Sequence, residues 1–267
     1  MTNFEKPSEK GPGERVPPPT QNISLANQFE SAVADMLAAP ESSEPLLADR
    51  LCQAVVAVTG VEGAAISVYL GADIAIPVGA SDLDATVGEA LQFTVREGPC
   101  FSSYSQRVPV LLPDLDRPGS RAWSDWPTYS EQLVRLTPYR AVFAYPLLRS
   151  GEAMGSLSLY QSATGAPKGL EEFTGIVTRV AEYLLDAKML IDDEGQPQHQ
   201  WMNGATAVRR RRVWLAQGMT LQANRITPGQ AMELLRAQAF SAGRLLDEIA
   251  ADIVGGLLPV PELESRQ

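Results

Sequence analysis

Cysteine and histidine are nearly absent from this chain of 267 residues, which has Cys52, Cys100 and the single histidine His199. Two distant cysteines build neither a disulfide-rich scaffold nor a CxxC zinc site, and one histidine excludes a multi-histidine metal centre. No stretch approaches the ~20 apolar residues of a membrane span. The opening segment MTNFEKPSEKGPGERVPPPT lacks the apolar core of a signal peptide, so a cytoplasmic protein without a membrane partner is expected. Positive charge is scarce overall: 22 Lys and Arg face 32 Asp and Glu, a net charge of −10. That balance is wrong for a chain that coats duplex DNA, because phosphate binding needs clustered cations. Phosphate loops, GxSxG, HExxH and dinucleotide fingerprints are all missing, as is the acidic pattern of a receiver domain. The expectation is a protein that is not an enzyme, holds no cofactor and is not switched by aspartyl phosphorylation.

What is present is the composition of a globular protein, 45% hydrophobic and 20% charged. Residues 1–26 are rich in Pro and Gly and read as a disordered tail. Leu25, Phe29, Val33, Met36 and Leu37 then recur at helical spacing, and Leu47, Leu51, Val55 and Val58 repeat the pattern before Gly60. The period changes to two over Gly63–Leu70 and Asp73–Val78, which predicts a hairpin. A helix is expected over Asp82–Val95, a strand over Arg107–Leu112, a loop over Asp116–Trp126 and a helix over Thr128–Leu136. A second hairpin is expected at Arg140–Leu148 and Ala153–Tyr160, and then one long helix over Leu170–Leu190. Strands in hairpins with helices at both ends predict an α+β domain around an antiparallel sheet, spanning residues 27–191. A polar linker, 192–200, leads to an all-α unit of three helices, 201–258, and a short tail, 259–267.

Counting charge by segment separates the two halves. Residues 205–258 hold seven Arg against four carboxylates, whereas residues 1–204 hold 14 basic against 26 acidic side chains. The helical unit is the basic part, and nucleic acid returns as its candidate partner. Thr227-Pro228-Gly229-Gln230 is a strong helix start, with a capping Thr, Pro at the first helical position and Gln three residues after the cap.

The run from Val213 to Val254 resembles the ANTAR RNA-binding domain of transcription antitermination regulators. The matching features are Ala216-x-Gly218-Met219, Ala231 with Leu234-Leu235-Arg236, Ala237-x-Ala239-Phe240, Arg244-x-Leu246 and Ile249-Ala250-x-x-Ile253-Val254. Gln217 stands where many members have Lys. Upstream, Leu91–Cys100, Val108–Leu115, Arg140–Leu147 and Gly155–Tyr160 resemble a GAF domain, a sensory α+β module, and the pair is similar to actinobacterial GAF–ANTAR proteins. The resemblance implies a sensor controlling an effector that binds paired hairpins in a nascent transcript and prevents termination, working as a homodimer. The alternative is a protein-interaction module in which the GAF-like domain is a dimerisation platform.

RNA loops are bound by stacking unpaired bases on aromatic or guanidinium planes and by contacting phosphates with Arg. Arg236, Phe240 and Arg244 suit those roles, and Ala216, Gln217 and Gly218 would line the close approach. Each of these also has a packing role open to it: small residues permit tight helix contacts, and Phe240 suits a core. Arg209 and Arg212, in a block of four arginines spread around the helix, are candidates for phosphate steering. In the GAF-like domain a pocket for an unknown small molecule would draw on Cys100, Trp126, Tyr129, Phe143 and Tyr145, although core packing over the sheet is the better reading of these aromatic residues. Cys100 reads first as a small buried hydrophobe, with a redox role as the alternative.

Overall fold

The alternation of apolar residues along three strands sets the layer order of the molecule. In the computed structural model, which describes residues 24–38, 47–70, 74–117, 119–187, 189–191, 197–199 and 204–262, five antiparallel strands form one sheet. They are β1 (Gly63–Tyr69), β2 (Ala75–Ala80), β3 (Val110–Leu112), β4 (Ala141–Arg149) and β5 (Glu152–Gln161), in the order β2-β1-β5-β4-β3. Most of the expected N-terminal tail, the middle of the linker and the end of the C-terminal tail lie outside the described residues.

Successive side chains of a strand point to opposite faces. Ile66 and Val68 of β1, Phe143 and Tyr145 of β4, and Leu157 and Leu159 of β5 therefore share one face. Three helices cover it: α1 (Leu25–Ala38), α2 (Leu47–Thr59) and α7 (Phe173–Asp186). Phe29, Leu51, Phe173 and Leu184 supply its interior and are fully or almost fully buried. The other face is covered by α3 (Leu83–Val95), α4 (Pro99–Gln106), α5 (Arg121–Asp125) and α6 (Pro127–Leu136). Asp82 caps α3 by accepting from the Ala85 amide at 2.9 Å. No side chain of its own N-cap residue caps α6; instead Glu97, from the α3–α4 connection, accepts from the Thr128 and Tyr129 amides at 3.1 and 3.2 Å.

Several elements differ from the sequence expectation. The loop expected over Asp116–Trp126 holds the short helix α5, Arg121–Asp125, which at five residues is too short to show a hydrophobic period. The long helix over 170–190 is shorter: a 3-10 turn at Leu170–Glu172 leads into α7, whose sheet-facing stripe ends at Leu184. Beyond Ala187, where the backbone turns extended, Met189–Ile191 (β6) pairs with Pro197–His199 (β7), so the expected linker contributes to a hairpin. The helix α4 escapes periodicity because PCFSSYSQ is short and largely polar; Pro99 at its first position and Gly98 at φ 140° supply the start.

The C-terminal unit follows the sequence closely: α8 (Ala205–Asn224), α9 (Pro228–Ala242) and α10 (Leu246–Val254). The capping box at Thr227 and Gln230 forms, and Gly243 ends α9 with φ 62°. The unit does not close a core by itself. Val213, Leu235, Leu246 and Ile249 pack in one cluster with Tyr69, Ala75 and Phe93 of the first domain.

Candidate functional site

Between α3, α4 and the sheet lies a buried polar cluster. Period-two alternation that sends Leu157 and Leu159 to the apolar face sends Ser156 and Ser158 to this one, with Ser67 beside them on β1. Glu89 and Gln92, one helical turn apart on α3, face them, and Cys100 comes from the first turn of α4. Gly98 is required here, since a Cβ would collide with the Gln92 side chain and φ 140° is strained for any other residue. Gln92 Oε1 accepts from the Cys100 amide at 2.9 Å, its Nε2 donates to Cys100 Sγ at 2.8 Å, and Ser158 Oγ lies 2.5 Å from that sulfur. Ser67 donates to Glu89 Oε1.

Burial controls the chemistry of both titratable groups. It pushes the Cys100 thiol up to about 12, with the nearby Glu89 charge adding to the effect. It also raises the Glu89 carboxyl to about 7, opposed by the Ser67 hydrogen bond and by the Arg210 charge. Cys100 is 1% exposed, in line with its first reading as a small buried hydrophobe, and a thiol this buried and this weakly acidic is a poor nucleophile. The buried hydroxyls around it fall against one another, Tyr129 beside Tyr160, Tyr160 beside Ser158 and Ser156 beside Tyr69 and Cys100, while Ser103 Oγ is buried with no hydrogen-bond partner among the described residues.

The aromatic residues expected to line one pocket are divided by the sheet. Trp126 and Tyr129 lie on the polar-cluster side, in the group that includes Tyr139 and Tyr160, whereas Phe143 and Tyr145 are in the opposite, apolar core. All four are buried. The expectation of a common lining is corrected because Phe143 and Tyr145 share the strand phase of Ala141 and Leu147, which faces α1, α2 and α7.

The candidate RNA-binding residues sort into four groups. Ala216 is fully buried against α9 and α10 and presents no surface. Arg236 is turned toward the first domain, with Nε 3.4 Å from the Phe93 carbonyl oxygen and its guanidinium 5.3 Å above the Phe93 ring. Gln217 donates to the Pro228 carbonyl at 2.8 Å and bridges α8 to α9. The rest are outward. Gly218 has open space where a side chain would go, Phe240 is 65% exposed, and Arg244 is held at the surface by Asp252 at 2.9 Å and Glu248 at 3.7 Å. Arg209 and Arg212 are exposed on α8.

Sequence reasoning missed Arg210. It is fully buried, donating to Asp247 of α10 at 3.1 and 3.4 Å and to the Ala75 carbonyl of β2 at 2.9 Å, with its guanidinium 3.6 Å above the Phe93 ring of α3. One side chain thus ties two helices of the C-terminal unit to a strand and a helix of the first domain. Within RRRR nothing distinguishes it except phase: Ala207, Arg210 and Val213 lie at three-residue spacing on the buried side of α8.

No helix among the described residues is long and apolar enough to cross a membrane, and no group of three or more His, Cys, Asp or Glu side chains among them is arranged to hold a metal. No curated protein matches the chain. Among solved structures, it is similar to the GAF domain of a phosphoenolpyruvate-protein phosphotransferase from Coxiella burnetii, with 14% identity, 60% of this chain and 91% of that chain covered, and a TM-score of 0.42. The corresponding GAF domain from Acinetobacter gives 10% identity, 59% and 90% coverage and a TM-score of 0.41. The A. aeolicus nlh2 GAF domain in an inactive state gives 16%, 59%, 93% and 0.37. Residues 45–187, more than half of the chain and ending just before the C-terminal unit, match the model of the GAF domain, and the chain belongs to that family.

Proposed function

We propose that this protein is a non-enzymatic transcription antitermination regulator of the cytoplasm, acting as a homodimer, in which the GAF domain controls RNA binding by α8–α10. The observation that carries this reading is the exposure of Phe240 at the end of α9, next to Arg244, on the basic part of an otherwise acidic chain. A two-thirds exposed Phe contributes little to its own fold and offers a face on which an unpaired base stacks. Gly218 keeps part of the α8 surface free of side chains, and the resemblance of residues 213–254 to ANTAR domains supplies the ligand class, paired hairpins of a nascent transcript. Ala216 and Arg236, engaged inside the docked assembly, serve packing and docking in this reading. An effector in the GAF domain then acts by binding the docked and released arrangements with different affinity.

The test is equilibrium binding of a two-hairpin RNA by the full chain. Base–aromatic stacking is worth ~1–3 kcal/mol, so Phe240→Ala weakens binding by about five- to a hundredfold. Arg244→Ala removes one phosphate contact and lowers the salt slope, and Gly218→Leu blocks approach. All three variants are expected to keep the wild-type melting temperature and assembly state. Wild-type affinity in folded Phe240→Ala and Gly218→Leu would overturn the assignment. Exposed Leu215, Met219 and Phe240 favour a second reading, a protein partner on the helical unit; binding to such a partner would persist as salt rises, whereas RNA binding falls steeply.

A further inference from the structure

The junction between the two domains holds a cleft of about 460 Å³, within the ~300–1,000 Å³ typical of small-molecule sites. It lies outside the interior of the GAF domain, with walls from β2 and α3 on one side and from α8 and α10 on the other. Its surface is mainly apolar, from Pro77, Leu83, Val87 and Leu245 among others, and Arg209 and Arg212 stand beside it. The acidic side chains that line it are already engaged. Asp247 is held by Arg210, Glu248 accepts from the Leu245 amide at 3.1 Å, and Glu89 accepts from Ser67. Arg209 and Arg212 have no ion-pair partner among the described residues. With Asp247 paired to Arg210, Glu248 3.7 Å from Arg244 and the buried Glu89 carboxyl pushed up to about 7, the unpaired charges along the cleft are those of Arg209 and Arg212.

We infer that this cleft binds an amphipathic organic anion, its apolar body between α3 and α10 and its acid group on Arg209 and Arg212. Such a ligand touches both domains at once, so it stabilises the docked arrangement and couples a metabolite to the release of the C-terminal helices. The inference stands apart from the RNA reading, and its test contains no RNA.

The probe is 8-anilinonaphthalene-1-sulfonate, an aromatic body with one anionic group, titrated against the full chain by fluorescence and calorimetry. One saturable site is expected, with the uncharged N-phenyl-1-naphthylamine binding at least tenfold more weakly. Arg209→Gln/Arg212→Gln should reduce sulfonate binding at least tenfold and leave the neutral probe unchanged. Val87→Trp, which fills the cleft, should reduce both. Decanoate should compete with the probe and decylammonium should not. Circular dichroism and melting temperature identify variants that remain folded, and the competition between decanoate and decylammonium uses the wild-type chain alone. Absence of a saturable site, equal binding of neutral and anionic probes, or equal competition by decanoate and decylammonium would overturn the inference.

Discussion

The two faces of the sheet are built from the same strands and differ in chemistry, one apolar throughout and the other combining an apolar cluster with buried polar groups. On the side of α1, α2 and α7, Ile66, Phe143, Leu157 and Leu159 form a hydrocarbon layer. On the side of α3 and α4, Ser67, Ser156, Ser158, Glu89, Gln92 and Cys100 are buried with equal thoroughness. A fold held only by apolar burial would use both faces alike, since each buried Leu is worth about 1.5–3 kcal/mol and a buried hydroxyl without a partner costs free energy. The apolar face supplies stability, and the polar face spends some of it on a preformed polar interior. That interior meets the C-terminal helices through α3, where Phe93 lies under Arg210 and Thr94 Oγ1 accepts from the Leu246 amide at 3.1 Å.

The largest effect is expected where polar burial is charged. Arg210→Ala leaves Asp247 buried without its partner and should cost about 3–5 kcal/mol, whereas Arg210→Met, which retains the bulk over Phe93, should be better tolerated when combined with Asp247→Asn. Urea unfolding of the full chain measures both, and tryptophan fluorescence of Trp214, partly buried beside this cluster, reports whether the helices detach. Equal stability of wild type and Arg210→Ala would mean that the junction is not held by this ion pair.

The next effect is pH-dependent. Glu89 moves from its ordinary 4.5 to about 7 in the folded chain. The folded state therefore binds more protons than the unfolded state between those values, and stability is greatest below about pH 4.5 as far as this group is concerned. It declines by up to about 3 kcal/mol as pH rises through about 7, following 1.36 kcal/mol per pH unit of difference. Glu89→Gln should flatten that part of the stability–pH curve, which a series of urea titrations would show. A slope unchanged by the substitution would assign the proton to another group.

Adjacent residues on β5 give the sharpest contrast between the faces. Leu157→Ala should cost about 2–5 kcal/mol by leaving a cavity in the apolar layer. Ser156→Ala removes a buried hydroxyl that lies beside Tyr69 and Cys100 and should change stability by no more than about 1 kcal/mol. A large loss at Ser156 would show that its hydroxyl is bonded in solution, to water or a guest. The smallest expected signal concerns the thiols: Cys52 and Cys100 are both buried with raised pKa, so Ellman's reagent at pH 8 should modify the native chain only as fast as it opens.

The order of elements was legible because hydrophobic period reports local geometry: two for the hairpins at β1–β2 and β4–β5, three to four for α1, α2, α9 and α10. Caps at Asp82 and Thr227 were local as well, since a cap involves residues only three apart. The helix α4 was not legible, having too few apolar residues to show a period, nor was the end of α7, which is set by where the sheet beneath it stops.

What the sequence by itself determined is the two-part division, the antiparallel α+β domain and the basic helical unit, all of which follow from periodicity and charge within short windows. The tertiary structure alone decided which polar residues are buried together. Arg210 is one of four identical neighbours until β2, α3 and α10 close around it, Glu89 has an ordinary carboxyl until Ser67 and Cys100 are brought against it from 22 and 11 residues away, and Phe240 reads as core until the shared cluster is filled without it. Solvation and pKa depend on the full surroundings of a group, and those surroundings come from segments that no local pattern joins.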